Sequence, residues 1–184
     1  MRHALLLVVL LVALPGLAQE RKSKARVSAN GLYSVRLVEE RPGKCRVEML
    51  KESGPMWQFS GCIGTVDDFY FASNDGERFW LVRPLVEKGR RGTVEKRGKR
   101  KVKVPAWANA EVAVLYDRHG QKLKEKRLQD FLLGARELGE VRQLKGHFKW
   151  LEGTLGIPGK GPRVTDEAKV EFEAVGRKTY SLSF

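Results

Sequence analysis

The chain has 184 residues, 42% hydrophobic and 31% charged, with 35 Lys and Arg against 22 Asp and Glu for a formal charge of +13. Such a composition suits one compact domain and excludes an extended disordered chain; two cysteines also exclude a disulfide-dense miniature scaffold. The positive charge favours attraction to polyanions but carries no information about fold.

Residues 1–18 read as a cleavable secretory signal peptide. Arg2 and His3 form a polar head, Ala4 to Leu14 is an unbroken apolar run, Pro15 and Gly16 break any helix, and Gly16 and Ala18 are the small residues a signal peptidase reads. The run is shorter than the roughly 20 residues that span a bilayer, and no later apolar stretch is long enough. The expectation is cleavage after Ala18, no transmembrane helix afterwards, and a periplasmic or secreted location. In that oxidising setting Cys45 and Cys62 are expected to form a disulfide.

Residues 19–27 are polar and basic without an apolar period, which predicts a disordered lead-in. A single β-rich domain is then expected over residues 28–184. Tyr33, Val35 and Leu37 alternate with Ser34 and Arg36, the period of a half-buried strand. Cys45–Met49 and Pro55–Phe59 read as a hairpin about Glu52-Ser53-Gly54. Pairing Met49 with Trp57 and Val47 with Phe59 puts the apolar residues on one face. It implies a three-residue loop and leaves Cys62 on the opposite face from Cys45, so a bulge at Ser60-Gly61 is needed to bring the cysteines together.

Asp68–Phe71 leads into the turn Ser73-Asn74-Asp75-Gly76. Phe79-Trp80-Leu81-Val82 lacks alternation, as a strand buried on both faces does. Residues 87–103 break the pattern and predict a long exposed loop or extended hairpin. Val112, Val114 and Tyr116 alternate, Asp117–Gly120 turns, and the chain returns through Leu123. Leu128, Phe131, Leu132, Ala135 and Leu138 recur at helical spacing, while Gly134 and Gly139 weaken the helix, so one short helix near 128–139 is expected. Phe148–Leu151 reads as a strand and residues 156–163 as a loop. A last hairpin pairs Val170 with Leu182 and Phe172 with Tyr180.

Three units share a layout of turn, strand, connection and hairpin. Asn30-Gly31 precedes Tyr33–Leu37 and the hairpin at 45–59; Asp75-Gly76 precedes Phe79–Val82 and the hairpin at 111–126. The third has a strand at 148–155 and a hairpin at 170–184, without a matching glycine turn. The two turn glycines lie 45 residues apart, a period that suits propeller blades. Ser28-Ala29-Asn30-Gly31-Leu32-Tyr33 and Ser73-Asn74-Asp75-Gly76-Glu77-Arg78-Phe79 resemble the S-P-D-G-x-x element of bacterial β-propellers of the TolB and WD40-like class. Val114-Leu115-Tyr116-Asp117-Arg118-His119-Gly120 is similar to the hairpin of the same class and of uncharacterised secreted bacterial proteins. Both turns lack the proline, and three units are fewer than the 4–8 blades of an ordinary propeller. The resemblance therefore implies a mostly β fold of about three blade-like antiparallel repeats, arranged as a partial propeller, as a sandwich, or as an oligomer that closes the ring.

No nucleophile elbow, zincin helix, phosphate loop or zinc spacing is present. Nothing in the chain implies a cofactor or a metal, and no catalytic residue is assigned. Asp67-Asp68 is the nearest approach to a carboxylate pair, but adjacent strand residues face opposite ways. Asn74–Glu77 lacks calcium-loop spacing. His119 is expected in an exposed turn, and His147 beside Phe148 and Trp150 in a structural role. The functional candidate is the basic segment: Lys88, Arg90, Arg91, Lys96, Arg97, Lys99, Arg100, Lys101 and Lys103 fall within 16 residues. It would attract anionic polymers without reading sequence, and without aromatics it is not built to stack on bases; its plain alternative is a solubilising loop that guards a sheet edge.

The expected function is an exported, non-enzymatic binding or scaffold protein, its partner an unidentified protein or cell-envelope polymer. The alternatives are a polyanion-binding surface protein that uses residues 88–103, and a hydrolase of unfamiliar type built on Asp67, Asp68 and His147.

Overall fold

The computed structural model describes residues 19–52, 54–87, 93–132 and 135–184. The expected signal peptide, Ser53 of the first hairpin, Lys88, Arg90 and Arg91 of the basic segment, and Gly134 lie outside the described residues. The described residues are mostly β, 51% strand and 8% helical, and their sheets are antiparallel. The expected single helix is two short ones, α1 (Leu128–Phe131) and α2 (Ala135–Gly139).

The first sheet contains β1 (Arg21–Lys22), β2 (Arg26–Val27), β3 (Tyr33–Arg41), β4 (Lys44–Lys51) and β5 (Gly54–Ser60). β3, β4 and β5 form a meander, and β1 and β2 both lie along the free edge of β3. The expectation of a disordered lead-in over 19–27 does not hold. Its order comes from polar bonds: Ser23 N–H donates to Leu37 O, and Leu37 N–H donates to the Ser23 hydroxyl, each at 2.9 Å. Ion pairs from Arg21 to Glu39 and from Arg46 to Glu20 add to this.

The β4–β5 register matches the sequence reading, with Met49 opposite Trp57 and Val47 opposite Phe59. The loop differs. Lys51 pairs with Gly54, which leaves two residues between the strands, and a bulge at Met56 restores the apolar register. Cys45 and Cys62 are bonded, with Cα atoms 4.8 Å apart. The bulge expected at Ser60-Gly61 is absent: pairing ends at Arg46–Ser60, Gly61 N–H still donates to Cys45 O, and Gly61 takes φ +157, a conformation that glycine adopts at low cost. The chain turns there and brings Cys62 back over Cys45.

The second sheet has the order β6 (Phe69–Ala72), β7 (Arg78–Val82), β11 (Glu111–Asp117), β12 (Lys122–Arg127). Between β7 and β11 run β8 (Leu85–Glu87), β9 (Thr93–Arg97), β10 (Arg100–Val104) and a 3-10 turn over Ala106–Asn109. β8 pairs with β14 (His147–Lys149), which also pairs with β13 (Arg142–Gln143). The last sheet is β15 (Arg163–Val164), β16 (Lys169–Ala174) and β17 (Lys178–Ser183), with Val170 opposite Leu182 and Phe172 opposite Tyr180 as the sequence predicts.

The second sheet is the middle layer. One of its faces (Phe79, Leu81, Val114, Tyr116) packs on Val35, Leu37, Val47 and Met49 of the first sheet. Its other face (Trp80, Val82, Ala113, Leu115) packs on Trp150, Phe172 and Leu182 of the last sheet and on Leu128, Phe131 and Leu132. This explains why Phe79–Val82 shows no alternation. A fully buried side chain of this size contributes about 1.5–3 kcal/mol. The outward faces are polar. On the first sheet, Arg36 and Arg46 each bond Glu48 at 2.7 Å; on the last, Arg163 bonds Glu171 at 2.6 Å.

The turns that enter the strands repeat in geometry. Ser28 N–H donates to Tyr33 O, Tyr33 N–H to the Ser28 hydroxyl and Gly31 N–H to Ser28 O. Shifted along the chain, Ser73 N–H donates to Arg78 O, Arg78 N–H to the Ser73 hydroxyl and Gly76 N–H to Ser73 O. A third turn of the kind, one residue shorter, stands before β16: Thr165 N–H donates to Lys169 O, and Ala168 N–H to Thr165 O. Ala168 there has φ +55, in place of glycine at +76 and +70. This turn carries no glycine and stands before the hairpin, not before the strand at 148–155, where the sequence reading found no matching glycine turn. The third unit's strand expected over 148–155 is limited to β14 and a single bridge from Leu151 to Ala174.

Candidate functional site

Two features of the surface carry ionisable groups in an organised way. The first is the basic segment, where β9 and β10 pair with each other and, among the described residues, with no other strand. The register sets Lys96 opposite Lys101 and Arg97 opposite Arg100 across the turn at Gly98, and Lys103 opposite Val94. Like charges placed directly opposite destabilise a ladder, and a lone two-stranded ribbon is marginal in water. Lys96, Lys99 and Lys101 are exposed, and among the described residues they make no ion pair. The backbone register thus sets basic residues directly opposite one another, with Lys96, Lys99 and Lys101 exposed.

The second feature is a cleft of about 570 Å³ beside the loop that joins β5 to β6, lined among others by Asp67, Asp68, Arg83, Glu87, Glu111 and His147. Asp67 and Asp68 do not lie on a strand. They fall in the turn before β6, so the expectation that they face opposite ways fails, and both line the cleft with His147. Asp68 accepts a bond from Thr65 N–H at 2.8 Å. Burial pushes its carboxyl above the usual range, against the opposing pull of the Thr65 amide and the Arg83 charge. Tyr70 donates to Thr65 O at 2.9 Å, and burial together with the Asp68 charge raises its phenol. Gly64 closes the loop against these groups: a Cβ there would lie 2.7 Å from the Tyr70 hydroxyl and 2.8 Å from Asp68 Oδ2.

Arg83 ties the floor of the cleft together. It donates to Glu111 Oε1 at 2.7 Å and to Ile63 O at 2.9 Å, while Lys122 donates to the other Glu111 oxygen at 2.5 Å. Burial would lower the Arg83 pKa, but the Glu111 carboxylate raises it beyond its ordinary value. Burial would raise Glu111, but Lys122 and Arg83 hold it low. The triad is satisfied within itself. Outside the triad, Asp67, Asp68, Glu87 and His147 are ionisable groups among the described residues that line the cleft, Asp68 held by the Thr65 amide. Among the described residues no hydroxyl or thiol is hydrogen-bonded to a histidine, and no three His, Cys, Asp or Glu side chains are grouped to hold a metal ion.

Sequence reasoning missed Arg83, Glu111 and Lys122. A signal existed for Arg83: a charge directly after a doubly buried strand must find a partner. His119 sits in the exposed β11–β12 turn, where Arg118 Nε donates to its Nε2 at 3.1 Å. Comparison with family models, with curated proteins and with solved structures finds no match for the chain.

Proposed function

We propose that this protein is an exported, non-enzymatic β-repeat binding protein, and that the β9–β10 hairpin is its contact element for an anionic cell-envelope or matrix polymer. The register that opposes Lys96 to Lys101 and Arg97 to Arg100 carries the reading. A ladder that bears this repulsion gains most from a polyanion, which supplies the missing countercharge and needs no defined sequence. The Cys45–Cys62 bond supports a periplasmic or secreted location. No helix of the described residues is long and apolar enough to cross a membrane.

The repeated turns and the meanders of the first two sheets support a reading of three blade-like units in a partial propeller of the TolB or WD40-like kind. The polar outward faces favour a stack that ends at three layers over a ring closed by further copies. Salt-gradient elution from immobilised heparin tests the functional reading. The wild type is expected to be retained, and Lys99→Ala/Arg100→Ala/Lys101→Ala to elute at lower salt; an unchanged eluting salt refutes it.

A second reading, hydrolysis in the 570 Å³ cleft, rests on the shared lining by Asp67, Asp68 and His147. Turnover of a nitrophenyl ester or phosphate that Asp68→Asn abolishes, with the fold intact, would move the function there.

A further inference from the structure

A smaller cleft of about 350 Å³ lies on the other side of the same loop, where elements of all three layers meet. Lys24 comes from the connection between β1 and β2, Arg26 from β2, Asp67 and Asp68 from the turn before β6, and Thr154 and Leu155 from the segment that follows Leu151. The guanidinium of Arg26 lies 4.7 Å from the centroid of Phe69 and 5.3 Å from that of Phe71. Its one hydrogen bond among the described residues is long, 3.4 Å to Pro162 O, and it makes no ion pair there. A guanidinium carries five N–H donors, so most of its capacity is unused. The two rings sit close to the guanidinium carbon, and its unused N–H donors suit a carboxylate. Burial lowers its pKa, as expected where a cation is desolvated without a countercharge.

The acidic wall is not paired with these cations, although Asp68 is held on one oxygen by the Thr65 amide. Asp67 and Asp68 line the cleft together with Arg26 and Lys24, yet no ion pair joins the two sets among the described residues. A simple anion would be repelled by the aspartates and a simple cation by Arg26 and Lys24. Between the walls stand Phe69, Pro84 and Leu155. Leu155 is 53% exposed and has φ +50, an uncommon state for a large side chain; its carbonyl accepts a bond from Lys149 Nζ at 2.6 Å, which holds it at the rim. A volume of this size is at the low end for small-molecule sites.

We propose that this cleft binds a small zwitterion of amino-acid or dipeptide type, with its carboxylate on the Arg26 fork, its ammonium against Asp67 and Asp68, and an apolar side chain on Phe69 and Leu155. The site is separate from the basic hairpin, and neither reading depends on the other.

Titration calorimetry with alanyl-leucine tests it. The free dipeptide is expected to bind, while its N-acetyl and C-amide forms bind at least tenfold more weakly. Arg26→Gln is expected to abolish binding, Arg26→Lys to weaken it less, and Asp67→Asn to weaken it while the melting temperature stays unchanged. Lys99→Ala/Arg100→Ala/Lys101→Ala is expected to leave dipeptide affinity untouched. No heat with millimolar dipeptide overturns the proposal, as does equal affinity of the blocked forms. So does full binding by Arg26→Gln, or a loss of affinity in the hairpin variant.

Discussion

Asn30 and Asn74 clasp each other across the first two layers: Asn30 Nδ2 donates to Asn74 O at 2.9 Å, and Asn30 N–H donates to Asn74 Oδ1 at 3.0 Å. Each residue sits in one of the equivalent serine turns, so the repeat also fastens its own copies together. Asn30 does more, because its Oδ1 also accepts bonds from the Ser28 hydroxyl and from Leu32 N–H. Asn30→Ala is therefore expected to cost about 1–2 kcal/mol and Asn74→Ala about 0.5–1 kcal/mol, measured by urea unfolding. A larger loss at Asn74 than at Asn30 would contradict this.

Gly64 is expected to tolerate no side chain. An alanine Cβ would press on the Tyr70 hydroxyl, on Asp68 Oδ2 and, at 3.2 Å, on Leu81 Cδ2. Tyr70 and Leu81 are fully buried and cannot swing aside. Gly64→Ala should cost about 1–3 kcal/mol. Tyr70→Phe added to it should recover part of the loss, a coupling that a double-mutant cycle reads. Strict additivity of the two changes would show that the contact is relieved elsewhere.

The layering was legible in the sequence wherever side chains decide it. Val170–Leu182, Phe172–Tyr180 and Met49–Trp57 pair as apolar periodicity requires, and the unbroken run at Phe79–Val82 marked the middle sheet. What escaped was written in backbone and distance. β1 and β2 are held by main-chain pairing and the Ser23 hydroxyl, which leave no apolar period. The third turn was hidden because Ala168 stands where the other two turns have glycine. Asp67 and Asp68 converge because they lie in a turn, where the two-residue alternation of a strand does not apply. Arg26 meets Phe69 and Phe71 only through tertiary packing, so nothing local to it in the chain marks the site.

The disulfide encloses a hairpin and fixes the start of the loop that walls both clefts. Cys45→Ala/Cys62→Ala should lower stability by about 3 kcal/mol on the chain-entropy account, and the exported protein should show no free thiol in mass spectrometry without reduction. Two free thiols in that sample would rule out the bond as a feature of the native protein.

Glu48 gives a pH signature. Burial pushes its carboxyl up, but the bonds from Arg46 and Arg36 outweigh burial and hold it below the ordinary range. A lowered folded pKa means stability that is complete above the unfolded value, about 4.3, and lost as pH falls through the folded value. Glu48→Gln should therefore cost about 1–2 kcal/mol at neutral pH, the two arginines being partly exposed. The gap from wild type should narrow below about pH 4. A gap independent of pH would mean that the ionised carboxylate contributes nothing.

The most direct test asks whether the hairpin, rather than net charge, holds the polyanion. Lys99→Ala/Arg100→Ala/Lys101→Ala removes three charges from the hairpin, and Lys124→Ala/Lys126→Ala/Lys145→Ala removes three exposed charges elsewhere. Heparin affinity is measured against salt concentration for both variants and the wild type. Each lost contact should flatten the logarithmic slope by roughly one unit or less. The account predicts a weaker affinity and a shallower slope for the hairpin variant, with the other variant close to wild type. Equal changes in the two variants would contradict it.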